Sequence, residues 1–208
     1  MKLTSETIAD LGIIPPRCAF AEPDFASHVR LSANRNPQFA WSGIPAGTHS
    51  LALICHDPDA PSSADDVNQE GRAIPASLPR VDFFHWVLVD LNPFGGPIQE
   101  GEFSAAVTPG GKPGPQAARG TRQGLNDYTR WFAGDKAMGG NYFGYDGPCP
   151  PWNDEILHHY VFTLYALGSA RCAVSGMFKG GELLKAIEGH VLATASLTGI
   201  YTLNPKLG

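Results

Sequence analysis

The sequence predicts a mainly β fold, and three observations carry that prediction. Two segments, Phe83 to Leu91 and His158 to Leu167, alternate side chains with the period of a strand. The chain carries 24 glycines and 18 prolines, which suits short elements joined by turns and long loops. A helical period appears once, close to the C-terminus.

Taken in order, the first 40 residues are irregular, and Pro15, Pro16, Pro23 and Pro37 limit helices there. Leu51 to His56 is a short apolar run that stops at Asp57-Pro58-Asp59-Ala60-Pro61, which reads as a buried strand running into a fixed turn. Residues 62 to 80 are polar and loop-like. In Phe83 to Leu91, strict alternation puts Phe83, His85, Val87, Val89 and Leu91 on one face and Phe84, Trp86 and Leu88 on the other. Both faces are largely apolar, so this strand is expected to be covered on both sides, as in a sandwich.

Residues 92 to 154 hold few periodic segments, and so long a loop region inside one domain is often functional. His158 to Leu167 turns His158, Tyr160, Phe162 and Leu164 one way and His159, Val161, Thr163 and Tyr165 the other. Gly181 to Leu192 reads as a helix, with Leu183, Leu184, Ile187, Val191 and Leu192 on one face. Ala193 to Leu203 returns to alternation as a last strand. There is neither an internal repeat nor a flexible linker, so residues 1–208 read as a single domain.

Composition narrows the function. Fifteen basic and 20 acidic residues leave a net charge of -5, which argues against a broad nucleic-acid footprint. No apolar run reaches the roughly 18 residues of a membrane span. Cys18, Cys55, Cys149 and Cys172 form no CxxC pair, so no structural metal site is expected. The polar start, Met1 to Ala9, does not resemble a secretory leader, so a cytoplasmic location with reduced thiols is expected.

Chemistry-bearing residues cluster in three places: the Asp57-Pro58-Asp59 segment, His85 within an apolar strand, and Gly147-Pro148-Cys149-Pro150-Pro151 followed by His158-His159-Tyr160. Each has an ordinary structural reading: a strand cap, a satisfied core histidine, a stiffened loop. Together they suggest a cleft. Its imidazoles would bind an anion, a carboxylate would fix their tautomers, and a tyrosine hydroxyl would supply a neutral donor.

These motifs, in this order, resemble the phosphatidylethanolamine-binding protein family. The Pro-Cys-Pro-Pro form, Asn126-Asp127-Tyr128 upstream of it, and the stretch from Glu188-Gly189-His190 through Leu197 to Tyr201 look like its bacterial, Raf-kinase-inhibitor-like branch. The resemblance runs from about Phe39 to Tyr201. It implies an antiparallel β-sandwich with peripheral helices and a pocket for phosphate or phosphorylated head groups. Carried over residue by residue, that pocket comprises Asp57, Asp59, His85, Cys149, Pro150, Pro151, His158 and Tyr160, with no cofactor and no metal. The chain departs from compact members at Trp152 to Leu157 and in the long 92–140 segment.

The resemblance also implies a non-catalytic module acting on a protein partner such as a kinase or a protease. Several family members dimerise, which leaves a homodimer open, although no feature of this sequence demands one. The alternative is a hydrolase built on the Asp/His/Tyr cluster. Against it, no GxSxG, HExxH or P-loop motif is present, and no nucleophile is assigned.

Overall fold

The computed structural model describes all 208 residues. In chain order its elements are β1 (Lys2–Thr4), β2 (Gly12–Ile13), β3 (Ala21–Asp24), β4 (His28–Leu31), β5 (Ala40–Ser42), β6 (Ser50–Pro61), β7 (Arg80–Leu91), β8 (Gly111–Lys112), β9 (Arg122–Gln123), α1 (Tyr128–Trp131), β10 (Asn141–Tyr142), β11 (His158–Leu167), α2 (Gly180–Ile187) and β12 (Val191–Tyr201). The mainly β expectation holds. A six-stranded sheet in the order β2-β12-β11-β6-β7-β9 dominates, and three two-stranded sheets, β1-β5, β3-β4 and β8-β10, accompany it. The main sheet is antiparallel except where β2 runs parallel to β12.

Each face of the main sheet carries its own core. On one side Leu53, Cys55, Trp86, Leu88, Tyr160, Phe162 and Leu164 pack with Phe20, Phe39, Tyr128, Tyr142 and Tyr145 from outside the main sheet. On the other, Ala52, Ile54, Val87 and Val89 meet Phe178 and the α2 residues Leu183 and Ile187. At about 25 cal/mol per Å² of apolar surface removed from water, these two layers are the main source of stability. The close approach of α2 to β7 requires Gly180, because a Cβ there would collide with the Phe84 ring.

Several elements differ from the sequence expectation, each for a physical reason. The expected turn at Asp57-Pro58-Asp59-Ala60-Pro61 is a continuation of β6. Asp57 pairs with Phe83 and Ala60 with Val81, so β6 holds one extra residue there, and this bulge absorbs a proline that has no N–H for the ladder.

The strict alternation expected over Phe83 to Leu91 also breaks. Cys55 pairs with Trp86 and His56 with Phe84, which leaves His85 as an extra residue in β7. Phe83 and Trp86 therefore contact the same core, while Phe84, Val87 and Val89 contact the opposite one. A second irregularity lies between Leu88 and Leu91, where Asp90 has φ 65.

The helix expected over Gly181 to Leu192 stops at Ile187. Gly189, at φ 76, turns the chain, and Val191 and Leu192 begin β12, which ends at Tyr201 rather than Leu203. Leu184 is consequently 38% exposed rather than on the buried face. The irregular first 40 residues contain four short strands, and the long loop region holds β8, β9, α1 and β10.

Candidate functional site

Three neighbouring strands bring the site together. Asp57 lies at the bulged end of β6, His85 is the extra residue of β7, and His158 and Tyr160 lie at the start of β11 on its buried face. The bulge aims the His85 ring at Phe83, Tyr128 and Tyr160, with ring centroids 5.0, 5.6 and 5.1 Å away. Loops supply the rest of the wall.

His158 is held between two carboxylates. Its Nδ1 is 2.7 Å from Asp57 Oδ2 and its Nε2 is 3.1 Å from Asp154 Oδ2. Only an imidazolium can donate from both nitrogens. Burial works against that charge, but hydrogen bonds and charge from Asp154 and Asp57 outweigh it and push His158 up to about 9. Arg80 grips Asp154 from behind with both terminal nitrogens, Nη2 to Oδ1 at 3.0 Å, and also donates to the Asp59 and Pro75 carbonyls. Burial tends to raise the Asp154 carboxyl, yet His158 and Arg80 hold it below the ordinary carboxylate value. Two anions and two cations thus form a buried, charge-balanced chain.

His85 is in the opposite state. Its Nδ1 lies 2.8 Å from the Asp146 carbonyl oxygen, and the Asp146 N–H donates back to the His85 carbonyl at 3.0 Å. A carbonyl only accepts, so Nδ1 carries the proton and neutral His85 presents a lone pair at Nε2. Burial lowers the His85 pKa despite the charges of Asp57, Asp127 and Asp146.

The loop that supplies this carbonyl is pinned from several directions. Asp146 Oδ1 accepts from Asn34 at 2.7 Å and from Lys112 at 3.0 Å, and its Oδ2 accepts from Asn126 at 2.7 Å. Asn34 Oδ1 takes the Gly147 N–H at 2.8 Å. A side chain at Gly147 would collide with the backbone at Cys18, so the glycine of Gly-Pro-Cys-Pro-Pro serves a close approach of two chain segments.

Two buried polar groups in this cluster have no partner, the Arg80 Nε–H and the Tyr160 hydroxyl. The Tyr160 hydroxyl is buried without a hydrogen bond, whereas the neighbouring Tyr128 hydroxyl donates to the Gly147 carbonyl at 2.8 Å. Asp57 and His85 are each 3% exposed and Tyr160 is fully covered. Two surface depressions, of about 250 and 350 Å³, lie elsewhere: Pro16, Leu157 and Tyr201 line one, and Leu3, Asp10 and Leu197 line the other. No group of three or more His, Cys, Asp or Glu side chains is arranged to hold a metal ion.

The family model described as phosphatidylethanolamine-binding protein matches residues 4–202. The chain belongs to the phosphatidylethanolamine-binding protein family. Among its relatives, a UPF0098 protein of Methanothermobacter thermautotrophicus is 31% identical over 201 residues, covering 97% of this chain and 98% of the relative. A UPF0098 protein of Chlamydia muridarum is 34% identical over 166 residues, 80% and 81% of the two chains. The crystal structure of Escherichia coli YbcL, described as a new member of the mammalian family, superposes with a TM-score of 0.67 at 23% identity over 97% of both chains and shows the shared fold. A Chlamydia trachomatis homologue of phosphatidylethanolamine-binding protein gives 0.64 at 26% identity over 96% of this chain and 95% of that one.

In this phosphatidylethanolamine-binding family member the residues singled out from sequence fall into two groups. Asp57, His85, His158 and Tyr160 converge. Pro150 and Pro151 are buried in the adjoining loop. Cys149 packs against the main core, and burial pushes its thiol up to about 12, which makes it a poor nucleophile. Asp59 turns away. Its Oδ2 accepts from the backbone N–H of His159 and from that ring, both at 2.8 Å, at a partly exposed edge.

His158 sits in the cluster with both nitrogens engaged, Nδ1 by Asp57 and Nε2 by Asp154. Sequence reasoning missed Asp154, Arg80, Asp146, Lys112, Asn34 and Tyr128. Asp154 lay inside the segment noted as a departure from the family, four residues before His158, and this was the one available signal.

Proposed function

We propose that this family member is a binding protein that holds a small phosphorylated anion against Asp57, His85 and Tyr160, within a wall made by Cys149, Pro150 and Pro151. His158 and Asp154 serve as the rigid backing. Phosphate and the phosphoethanolamine head group are the ligands of the right chemistry, and no turnover is proposed. In the same reading residues 1–208 work as one domain, and ligand occupancy modulates a protein partner such as a kinase or a protease.

The observation that carries the reading is the unpartnered hydroxyl of Tyr160, whose ring lies 5.1 Å from that of His85, together with the free Nε2 of His85. Burying a hydroxyl with no partner costs about 1–3 kcal/mol, and such a group persists where a ligand completes it. Partly exposed Phe83, whose ring lies 5.0 Å from that of His85, is the group a ligand would displace to reach it.

Titration with phosphate or phosphoethanolamine, followed by histidine-selective NMR, is expected to move the His85 ring signals most. Those of doubly engaged His158 should move less. An intact fold with no movement at His85 in millimolar ligand would refute the pocket.

Tyr160→Phe provides an independent check. Removing the unsatisfied hydroxyl should leave the ligand-free fold as stable or more stable by about 1 kcal/mol, while weakening phosphate binding about tenfold. Loss of stability with unchanged affinity would assign the hydroxyl to the fold alone.

A further inference from the structure

We infer that the site takes up its phosphorylated ligand together with one proton from solvent, and that this proton lands on His85 Nε2. The inference rests on the binding reading above and specifies the protonation state in which the ligand is held.

The argument is a count of donors. An anion needs N–H or O–H groups pointed at it, and the cluster holds few that are free. Both protons of His158 are committed to Asp57 and Asp154. The two terminal nitrogens of Arg80 are spent on Asp154 and two carbonyls, and Lys112 on Asp146, Ser104 and the Tyr145 carbonyl. The Tyr128 hydroxyl is taken by Gly147. Two donors remain, the Tyr160 hydroxyl and the Arg80 Nε–H, and of these Tyr160 has its ring 5.1 Å from that of His85.

The same cluster holds two acceptors: the Asp57 carboxylate, whose oxygens already take the Asp59 N–H and the His158 Nδ1–H, and the Nε2 lone pair fixed by the Nδ1–H bond to the Asp146 carbonyl. A fully deprotonated phosphate facing these groups would meet repulsion. A proton on Nε2 converts an acceptor into a charged donor and supplies the missing cation.

The surroundings of His85 favour that proton once an anion is present. From β6 comes Asp57; from the loops come Asp127 and Asp146, and all three charges act to raise its pKa. From β7, α1 and β11 come the neutral rings of Phe83, Tyr128 and Tyr160. The nearby cations, His158 and Lys112, are each paired to one of those carboxylates. Without ligand, burial holds the ring neutral. An adjacent ligand anion tips the balance. The one covalent change is the N–H bond formed at Nε2 with a proton given up by a solvent or buffer acid: the ligand keeps all its bonds, and on release the Nε2–H proton returns to solvent as the ligand leaves.

The test uses calorimetric titration of the whole chain with glycerophosphoethanolamine, a phosphodiester with no titrating phosphate proton near neutrality. Measurements run from pH 6.5 to 8 in two buffers of different ionisation heat. The expected result is binding that weakens about tenfold per pH unit, with close to one proton taken up per ligand. The ¹⁵N signal of His85 Nε2 should change from a lone-pair to an N–H position. Parallel titration with inorganic phosphate distinguishes a head-group ligand from the free ion; because that ion itself titrates near neutrality, the supporting result for it is the His85 ¹⁵N change, and its absence overturns the inference.

His85→Gln, which donates without titrating, should bind with a flat pH dependence. Binding by the native chain that is flat with pH and takes up no proton overturns the inference and leaves the binding reading standing. A pH slope retained in His85→Gln places the proton elsewhere and also overturns it. No binding at any pH overturns both.

Discussion

Asp154→Asn is expected to lower the unfolding free energy by about 3–5 kcal/mol, the cost of breaking a buried ion pair from one side. Asp154 is 1% exposed and joins Arg80 to His158. Its neutralisation leaves the Arg80 guanidinium, itself mostly buried, without its carboxylate partner. It also removes one of the two anions that keep His158 charged. Urea unfolding measures the first effect, and NMR titration of His158 the second, as a pKa falling below about 9.

Asp66→Asn provides the contrast. It removes an exposed partner of Arg72, and such surface pairs are worth about 0–1 kcal/mol. If Asp154→Asn cost no more than Asp66→Asn, the buried chain of charges would not be a stabilising unit.

The same chain makes stability depend on alkaline pH. His158 has a folded pKa raised to about 9 from 6.5. Its contribution is therefore fully present below about 6.5 and is lost as pH rises through about 9. The shift corresponds to about 3 kcal/mol. Asp154, held low, contributes in the opposite sense: stability present above its ordinary value of 3.8 and lost as pH falls through its lower folded value. Lys112 has a pKa lowered by burial, so its effect at the alkaline end opposes that of His158.

Urea unfolding at pH 6 and pH 9.5 should show the drop. His158→Gln, which does not titrate, should remove most of the difference between the two pH values. A His158→Gln protein that kept the native pH profile would show that another group titrates there.

Much of the fold was legible because β11 alternates without interruption: His158, Tyr160, Phe162 and Leu164 are the buried face. The face assignment in β7 failed at two steps, the bulge at His85 and the irregularity between Leu88 and Leu91, because a bulge is set by which residues pair across strands and leaves the local apolar pattern unchanged. The C-terminal helix was over-extended because Val191 and Leu192 fit a helical face as well as a strand, and only the turn at Gly189 separates the two.

For the candidate site, Asp57, His85, His158 and Tyr160 announce themselves in motifs and lie together in the fold, whereas residues that enter through their partners carry no local signal. Asp146 lies 112 residues from Asn34 in the chain, and Arg80 lies 74 from Asp154. No local period records such pairings. Asp59 was grouped with Asp57 because they share a motif, yet the extra residue of β6 beside them sends the second carboxylate to His159.

That bulge in β7 lets the site gain a residue without disturbing the strand around it. Cys55 stays opposite Trp86 and His56 opposite Phe84, so Phe83 and Trp86 face one core and Phe84 the other, with His85 outside the ladder. Replacing His85 with another side chain changes the chemistry and leaves that pairing alone. Deleting it would join Phe84 to Trp86 as ordinary alternating neighbours, and both would keep their faces and their partners. The frame of the site thus belongs to the ladder, and position 85 is a single letter added to it.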